Sequence, residues 1–382
     1  MRLSSHKFSY GHAIFTVVNV NDFDYALPPD RIAQHPLAKR DASRMLLFER
    51  DSGRFWDGRF ADLPGLLRGD ELVVINNARV IPARLFAHRQ GRGAESSGKT
   101  GNESDLLPAR IELLLVRRLQ DDLWEALVRP GRKVRTGERL RIEGDELQAE
   151  VVRRGPYGLR QIRFFGVSNI LAAIDRAGHI PLPPYVRRTD EPSDRERYQT
   201  VFATRPLAVA APTAGLHFTE QTLEQIRFRG AEICEITLEV GLGTFQPIHV
   251  EDLSKHSMHC EAYEIPESSA RALSEARRAR RPILALGTTV VRALEDAAQK
   301  AVARGDPPQE VASGRATADI FIRPGHHFAL VDQLLTNFHL PRSTLLVLVA
   351  AFSGREAVLS AYRHAVTEGY RFYSYGDCML IR

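Results

Sequence analysis

Between residues 111 and 164, short apolar segments alternate with turn residues at the spacing of consecutive β-hairpins. The apolar segments are Ile111–Val116, Leu123–Val128, Arg139–Ile142, Ala149–Val152 and Leu159–Phe164. Turn-forming pairs such as Pro130-Gly131 and Gly155-Pro156 separate them. Short strands at regular spacing, divided by turn signals, are typical of small all-β folds. The pattern therefore predicts a small β-barrel in this part of the chain.

A different pattern begins near residue 168, where apolar runs alternate with amphipathic segments of helical period. The predicted strands are Leu207–Ala211, Ile233–Val240, Pro282–Leu286 and Asp319–Ile322, with Leu72–Ile75 earlier in the chain. The predicted helices are one that begins near Thr219 and ends at Gly230, and Ser268–Arg280, Thr288–Ala301, Ser343–Ala351 and Arg355–Glu368. Strands and helices that alternate with short connections predict a layered α/β domain with a mostly parallel sheet.

The two patterns divide the 382 residues into two predicted domains, as expected at about 150 residues per domain. Residues 19–75 and 166–382 form a discontinuous α/β catalytic domain, and residues 76–165 form an inserted β-barrel domain. Residues 90–108 are rich in Gly, Ser, Asn, Glu and Lys, so we expect a flexible insertion there. The predicted fold class is therefore α/β, a layered α/β domain with an inserted small β-barrel.

Composition narrows the class of protein. Lys and Arg total 52 against 47 Asp and Glu, and the net charge of +5 fits a polyanionic partner without requiring one. The three cysteines are far apart and form no Cys-x-x-Cys pair, which argues against a zinc finger and favours a reducing compartment. No secretion signal is visible, and the apolar run Leu345–Phe352 is too short to span a bilayer. We therefore expect a soluble cytoplasmic protein.

Two segments, Ala210–Phe218 and Glu239–Phe245, place small residues, a hydroxyl and an aromatic ring where an apolar run ends. Small residues let a ligand approach the backbone, and a ring offers a face for stacking. The candidate site residues are Thr213, Gly215, His217 and Phe218 in the first segment, and Glu239, Gly241, Gly243, Thr244 and Phe245 in the second. Either segment alone is also compatible with a tight turn.

Gly287, Thr288 and Thr289 lie between a predicted strand and a predicted helix. The free N–H groups and positive dipole end of a helix start suit a carboxylate or phosphate, and Arg292 adds a charge one turn later. The alternative is a simple helix cap by Thr288.

Histidines and neighbouring polar residues mark further candidate positions. His256 and His259 stand close to Glu261, but no third ligand is spaced for zinc, so a catalytic or substrate-binding pair is favoured over a metal site. Ordinary surface histidines are the alternative. Asn337 and His339 precede an apolar helix, and Tyr375 and Asp377 lie in a similar polar cluster. These four residues either cap and anchor local structure or line a pocket.

Two common nucleotide-binding patterns are absent from the sequence. Gly241-Leu242-Gly243 lacks the third glycine of a dinucleotide fingerprint, and Gln246-Pro247 blocks a helix there. No glycine-rich loop ends in the lysine of a phosphate-binding loop. The residues by themselves indicate an α/β enzyme with a pocket built from several loops, and they leave the reaction open.

Ten segments occur together in an order that carries a family resemblance. They are Asp22–Pro28, Arg40–Arg44, Arg79–Leu85, His179–Tyr185, Ala211–Phe218, Gly241–Phe245, His256–His259, Gly287–Thr289, Thr336–Pro341 and Ser374–Asp377. With these motifs the chain resembles the S-adenosylmethionine:tRNA ribosyltransferase-isomerase family of queuosine biosynthesis, from about Asp22 onward. The resemblance implies an α/β domain with an inserted β-barrel, in agreement with the residue patterns.

The resemblance also implies a reaction. S-adenosylmethionine would donate its ribosyl group to the aminomethyl-deazaguanine base at the wobble position of tRNA, giving epoxyqueuosine-tRNA, adenine and methionine. S-adenosylmethionine is then a consumed substrate, and no metal or other cofactor is needed. The implied catalytic candidates are His217, Glu239, His256, His259 and His339. The implied substrate-binding set adds Arg79 and Arg84 to the loop, ring and helix-start residues named above.

The chain departs from the family pattern at two places. It has Asn76-Asn77-Ala78-Arg79 where the family usually reads Asn-Asp-Thr-Arg, and Glu239-Val240-Gly241 where the family usually reads His-Val-Gly. Any proton transfer by the usual residues would have to be done here by others, and Glu239 is a candidate base.

The implied partner is the tRNA anticodon stem-loop, bound by a monomer or homodimer without a membrane. Basic residues around a barrel turn and after the His179–Tyr185 motif are the tRNA-binding candidates: Arg132, Lys133, Arg187 and Arg188. A solvated charged face is the alternative for both groups. Two other functions stay open, an S-adenosylmethionine-dependent RNA methyltransferase and a non-catalytic RNA-binding protein.

Overall fold

The structure, a computed structural model, describes residues 18–90, 106–239, 241, 248, 250–256, 258, 260–307 and 309–382. Its strands are β1 (Arg44–Phe48), β2 (Phe55–Arg59), β3 (Leu72–Asn76), β4 (Ala78–Val80), β5 (Arg84–Gln90), β6 (Leu106–Arg118), β7 (Leu123–Arg129), β8 (Arg139–Ile142), β9 (Gln148–Arg154), β10 (Leu159–Phe165), β11 (Arg205–Ala208), β12 (Glu232–Leu238), β13 (Glu261–Ile265), β14 (Ile283–Leu286), β15 (Gly314–Ala318), β16 (Gln333–Asn337) and β17 (Cys378–Ile381). Its α-helices are α1 (Leu63–Leu66), α2 (Ile170–Ala177), α3 (Asp194–Arg197), α4 (Glu220–Phe228), α5 (Glu267–Arg278), α6 (Thr288–Arg304), α7 (Thr344–Ser353) and α8 (Arg355–Thr367).

Nine strands form one sheet in the spatial order β15-β13-β12-β3-β14-β16-β17-β1-β2. The central strands β12, β3, β14 and β16 run parallel. β17 runs antiparallel to β16 and parallel to β1. The carboxyl ends of the four central strands therefore meet the starts of β17 and β1 at one edge of the sheet, where ligands bind in open α/β sheets.

Helices cover both faces of this sheet. Along β14, Ile283 and Ala285 belong to the core cluster that includes side chains of α5, α6, α7 and α8. Leu284 and Leu286 point to the other face, where they pack with side chains of α1 and α4. This two-sided burial explains why β14 reads as a continuous apolar run. The predicted layered α/β fold is confirmed.

Six strands close into a barrel in the order β10-β7-β6-β5-β8-β9. Inward side chains such as Leu85, Leu113 and Ile162 are fully buried in a core of their own. The predicted small β-barrel is confirmed, with β5 as a sixth strand beside the five that the sequence indicates. The barrel strands lie within residues 76–165, and the two-domain division at those boundaries stays a prediction.

Local sequence signals account for several helix ends. The Thr219 hydroxyl accepts a hydrogen bond from the Thr222 amide at 3.0 Å, as the predicted cap requires, and Gly230 follows the end of α4 with a positive φ of 103°. The Ser343 hydroxyl caps α7 by accepting from the Leu346 amide at 3.2 Å.

The predicted strand at Asp319–Ile322 is wrong, because the strand here is β15, which ends at Ala318. The apolar side chains of Ile320, Phe321 and Ile322 contribute to the main core without joining the sheet ladder. Burial alone therefore produced the apolar signal.

Within the described residues, no single helix has the length and apolar character to cross a membrane. By length and composition alone, the bent pair of α7 and α8, which meet at 117°, passes that test together.

Candidate functional site

A cavity of about 250 Å³ lies at the edge of the sheet where β14 and β16 end. Its walls come from Ala210–Ala214, Gly287–Thr289, Thr336–Ser343, Leu345, Tyr373, Ser374 and Tyr185. These segments are distant in sequence and meet because the strands before them are neighbours in the sheet. The volume approaches the lower end of the roughly 300–1,000 Å³ of small-molecule sites.

The start of α6 forms one wall of this cavity. Gly287 adopts φ 93° and donates its N–H to the Leu335 carbonyl at 2.8 Å, which joins the helix start to β16. The N-cap residue of α6 is Gly287, which has no side chain that could cap the helix. Thr288 and Thr289 are buried and line the cavity. The positive end of the helix dipole therefore faces the cavity, as the sequence predicts for these three residues.

Asn337, the last residue of β16, is held by hydrogen bonds on both sides of its amide. Its Nδ2 donates to the Tyr373 carbonyl at 2.9 Å, which leaves Oδ1 to accept from Nε2–H of His217 at 3.4 Å. Nδ1 of His217 then accepts from the Ser43 hydroxyl at 2.8 Å. His217 thus positions the Asn337 amide, which lines the cavity.

His339 lines the cavity directly. Its Nε2 lies 2.9 Å from the Thr336 hydroxyl, and its backbone is fixed by the Tyr362 hydroxyl, which accepts from its N–H at 3.2 Å. Among the described residues, no hydrogen-bond partner faces Nδ1 of this ring. That nitrogen is therefore available to a ligand in the cavity.

Both histidines are neutral at neutral pH. Burial and the positive charges of Arg371 and Arg40 lower the pKa of His217 to about 4, although the hydrogen bond to Asn337 acts in the opposite direction. Burial alone lowers the pKa of His339 to about 3. A neutral imidazole can donate one hydrogen bond and accept another, which suits the recognition of a heterocycle.

The predicted segment Ala210–Phe218 contributes unequally to the site. Thr213 lines the cavity at the start of a 3₁₀ helix, Thr213–His217. Gly215 is packed so closely that an added Cβ would lie 2.6 Å from Phe202. Phe218 is fully buried against Phe60 in the hydrophobic core, outside the cavity lining.

Two tyrosines that the sequence did not single out as site residues form an aromatic wall. The rings of Tyr185 and Tyr373 lie 3.9 Å apart between centroids, and the Tyr185 hydroxyl is 2.5 Å from the Ser374 hydroxyl. Tyr373 and Arg342 both line the cavity, and both adopt positive φ, 73° and 55°. Such backbone geometry in residues other than glycine is concentrated at ligand sites.

Tyr375 and Asp377 anchor the structure next to this wall. The Tyr375 hydroxyl donates to Asp194 at 2.7 Å. Asp377 accepts from the backbone amides of Arg44 at 2.9 Å and Arg371 at 2.8 Å. Burial raises the pKa of the Asp377 carboxyl. These contacts fix the turn before β17 and hold Ser374 at the cavity.

Other predicted site residues lie apart from the cavity lining. Arg292 is buried in an ion pair with Glu261, so its guanidinium is already engaged. Arg84 pairs with Glu112 at 3.2 Å on the barrel, and Arg79 is exposed on β4.

Glu239 and His256 follow β12 on the side of β13. The Glu239 amide donates to the Ala262 carbonyl at 2.9 Å, and the ring of His256 lies 5.1 Å from that of Phe321. Gly241 is half-buried. Gly243, Thr244, Phe245 and His259 lie outside the described residues.

The predicted RNA-binding residues differ in their surroundings. Arg132 and Arg187 are exposed. Arg188 is mostly buried and forms two hydrogen bonds to the Asp194 carboxylate at 2.6 and 2.8 Å. Arg188 therefore supports the fold around Tyr375. The backbone of Lys133 lies in a 3₁₀ helix at the barrel turn.

Among the described residues, no three His, Cys, Asp or Glu side chains are grouped as ligands for a metal ion.

The residues that sequence reasoning missed carry weak local signals. Tyr185 ends a motif, and Tyr373 immediately precedes another. Ser43 lies in the Arg40–Arg44 motif, 174 residues from the histidine it contacts. Only the sheet topology brings these positions together.

Comparison with known proteins identifies the family. The profile of the family described as queuosine biosynthesis protein matches residues 20–381. A Solibacter usitatus protein named S-adenosylmethionine:tRNA ribosyltransferase-isomerase is 49% identical, with 95% of this chain and 100% of the relative covered. A Moorella thermoacetica protein of the same name is 47% identical, with the same coverage of both chains.

A solved structure agrees with these relatives. The crystal structure of S-adenosylmethionine tRNA ribosyltransferase from Thermotoga maritima is 35% identical and superposes with a TM-score of 0.50, covering 94% of this chain and all of the other. The chain therefore belongs to the queuosine biosynthesis protein family and is an enzyme of tRNA modification, similar over nearly its whole length to S-adenosylmethionine:tRNA ribosyltransferase-isomerases.

Proposed function

We propose that this enzyme transfers and isomerises the ribosyl group of S-adenosylmethionine onto the aminomethyl-deazaguanine base at the wobble position of tRNA. The products are epoxyqueuosine-tRNA, adenine and methionine. The names of the relatives supply both substrates. The observation that carries the proposal is the cavity in which a helix start, an oriented amide and a neutral histidine meet two aromatic rings.

Each of these groups matches a part of S-adenosylmethionine. The start of α6 at Gly287–Thr289 suits the methionine carboxylate, because the helix dipole and its N–H groups attract an anion. The rings of Tyr185 and Tyr373 suit the cationic sulfur, because aromatic faces attract cations. The reaction as proposed uses no metal and no resident cofactor.

His339 takes the role of hydrogen-bond donor to the departing adenine. Its low pKa keeps the ring neutral across the working range, so it polarises a heterocycle nitrogen without carrying a charge. Four of the five catalytic candidates, His217, Glu239, His256 and His339, lie within the described residues, and of these four His339 lines the cavity. His217 acts one step away, through the orientation of Asn337.

Product analysis tests the proposal. Incubation with S-adenosylmethionine and tRNA that carries the deazaguanine precursor should release adenine and methionine in equal amounts. Neither product should appear with tRNA that lacks the precursor. S-adenosylhomocysteine as the product would contradict the proposal and indicate a methyltransferase.

The role of His339 has its own test. We expect His339→Ala to lower kcat by at least about tenfold, the low end of what such groups contribute. His339→Gln retains an amide donor and should keep more activity than the alanine variant. Equal activity of the two variants would argue against hydrogen bonding by this ring.

A further inference from the structure

A second, small cavity of about 20 Å³ lies next to the His217–Asn337 pair, since His217 lines this cavity and Asn337 lines the first. Ser43 also lines the small cavity, and Ser374 lines both. Three cations, Lys39, Arg40 and Arg197, stand around it. We call these three residues the basic rim.

The two guanidinium groups of the basic rim donate to backbone carbonyls. Arg40 donates to the backbone carbonyls of Gln199 and Glu196, each at 2.8 Å, and Arg197 donates to that of Leu37 at 2.7 Å. Backbone carbonyls fix the direction of a guanidinium and leave its full charge in place. Within the described residues, no ion pair joins Lys39, Arg40 or Arg197 to an acidic side chain.

Electrostatic effects on neighbouring groups agree with this excess of charge. Burial lowers the pKa of Arg40, and the charge of Arg197 lowers it further, while the charge of Glu196 acts in the opposite direction. The positive charge of Arg371 also lowers the pKa of His217, which lines this cavity.

Two buried arginine donors in this region have no hydrogen-bond partner among the described residues. They are Nε of Arg197, which lines the small cavity, and Nη1 of Arg371. Buried donors without partners are uncommon in folded proteins and often indicate a missing ion or water. Arg197 therefore brings a donor without a partner to a cavity that exposed Lys39 also lines.

We propose that the basic rim binds a backbone phosphate of the tRNA next to the nucleotide whose base enters the first cavity. The small cavity has no room for a base or a ribose, so only a small group can enter it. Arginine and lysine together suit a phosphate, which offers several anionic oxygens. Ser374 lines both cavities, so a phosphate at the basic rim would lie next to the first cavity. The inference rests on the proposed function for the identity of the RNA.

Charge variants of the basic rim test the inference through RNA binding. Lys39→Glu changes an exposed side chain, and Arg271→Glu makes the same change at an exposed site on α5 that lines neither cavity. The probe is a synthetic anticodon stem-loop RNA, with affinity measured across a salt series. Lys39→Glu should weaken binding at low salt by about fivefold or more and reduce the log–log salt slope by about one, because one phosphate contact is lost. Arg271→Glu should change neither.

A second pair of variants guards against effects on folding. Arg197→Gln removes a charge and should reduce the slope by about one, whereas Arg197→Lys keeps the charge and should retain the slope. The thermal unfolding temperature of each variant measures how much stability is lost with the hydrogen bonds of Arg197 to backbone carbonyls. Salt slopes equal to that of Arg271→Glu in both Lys39→Glu and Arg197→Gln would overturn the inference.

Measurements with S-adenosylmethionine separate the remaining outcomes. If the basic rim instead held the methionine carboxylate, Lys39→Glu would weaken S-adenosylmethionine binding and leave the RNA slope unchanged, and this result would overturn the inference. If the wild-type protein released no adenine but the rim variants still reduced the salt slope of RNA binding, the phosphate site would be supported and the proposed function would be contradicted.

Discussion

At the scale of single residues, burial decides what each predicted group can do. The family resemblance implied His217 and His339 as catalytic candidates. The structure makes both neutral and gives them different neighbours, the Asn337 amide in one case and the cavity in the other. A sequence names such residue types but cannot show burial, and burial sets their pKa values.

We expect the free energy of unfolding to decrease as the pH is lowered from about 6.5 to 4, because histidine in the unfolded chain titrates near 6.5. In this window the unfolded chain binds protons at His217 and His339 that the folded protein excludes, since their folded pKa values are about 4 and 3. Each ring then contributes a slope of up to about 1.4 kcal/mol per pH unit, and the contribution is complete above pH 6.5. Urea unfolding of wild type and His339→Gln at several pH values measures it. The variant should show a slope smaller by nearly one proton, and identical slopes would contradict the expectation.

We expect Arg188 to contribute to stability and Arg187, which is exposed, to contribute little. Arg188→Gln leaves the buried Asp194 carboxylate without its cation and should cost about 3–5 kcal/mol of unfolding free energy. Arg187→Gln changes an exposed side chain and should leave stability within about 0.5 kcal/mol. Denaturant unfolding checks both. Adding Asp194→Asn to Arg188→Gln should restore part of the loss, and a stable Arg188→Gln variant would show that the pair contributes little.

At the scale of elements, periodic signals were dependable, and the apolar runs of β3 and β14 were also predicted as strands, whereas one apolar run, Asp319–Ile322, was not a strand. The hairpin spacing predicted the barrel strands, and the Thr219 cap and Gly230 stop placed α4 within a residue or two. Asp319–Ile322 misled because apolar side chains also pack without strand pairing. β16 was not predicted, since Gln333–Asn337 is short and merges into the polar residues of the cavity wall.

The 3₁₀ helix Thr213–His217 should not tolerate a side chain at its centre. In Gly215→Ala the new Cβ would lie 2.6 Å from Phe202 and 2.7 Å from Thr200, so unfolding free energy should fall by about 1–3 kcal/mol. Gly65 in α1 has open space around the same atom. Gly65→Ala should be neutral or slightly stabilising and serves as the control. Turnover of Gly215→Ala should also fall, because Thr213 and His217 shift together, and wild-type stability in this variant would contradict the packing argument.

The predicted insertion should be removable. β5 and β6 extend into both of its ends, and Gln90 is paired with Leu106 across the two strands. Replacing residues 91–105 by a short Asn-Gly turn therefore joins two chain positions that are already neighbours. Thermal unfolding and adenine release should both stay close to wild type. A large loss of turnover with unchanged stability would mean that the insertion contacts RNA.

At the scale of the whole molecule, the two folds could be predicted from the sequence, but the contacts between side chains from distant segments could not. The two folds and most segments around the cavity were identified from residue patterns and from the resemblance. Which side chains meet could not be predicted, because Ser43, Asn337 and His217 come from three distant parts of the chain. Their meeting depends on strand order, which local patterns do not encode.

The position of β17 between β16 and β1 has a consequence for synthesis on the ribosome. The hairpin of β1 and β2 is translated first, yet it joins the other strands of its sheet only through residues 378–381. Tyr373 and Ser374, which complete the cavity, emerge just before that strand. A nascent chain halted at residue 370 therefore lacks β17, which joins the two parts of the sheet, and its pocket is incomplete. Such stalled chains should release no adenine, and protease should cut their first hairpin readily, so activity arises only when translation has passed the last strand.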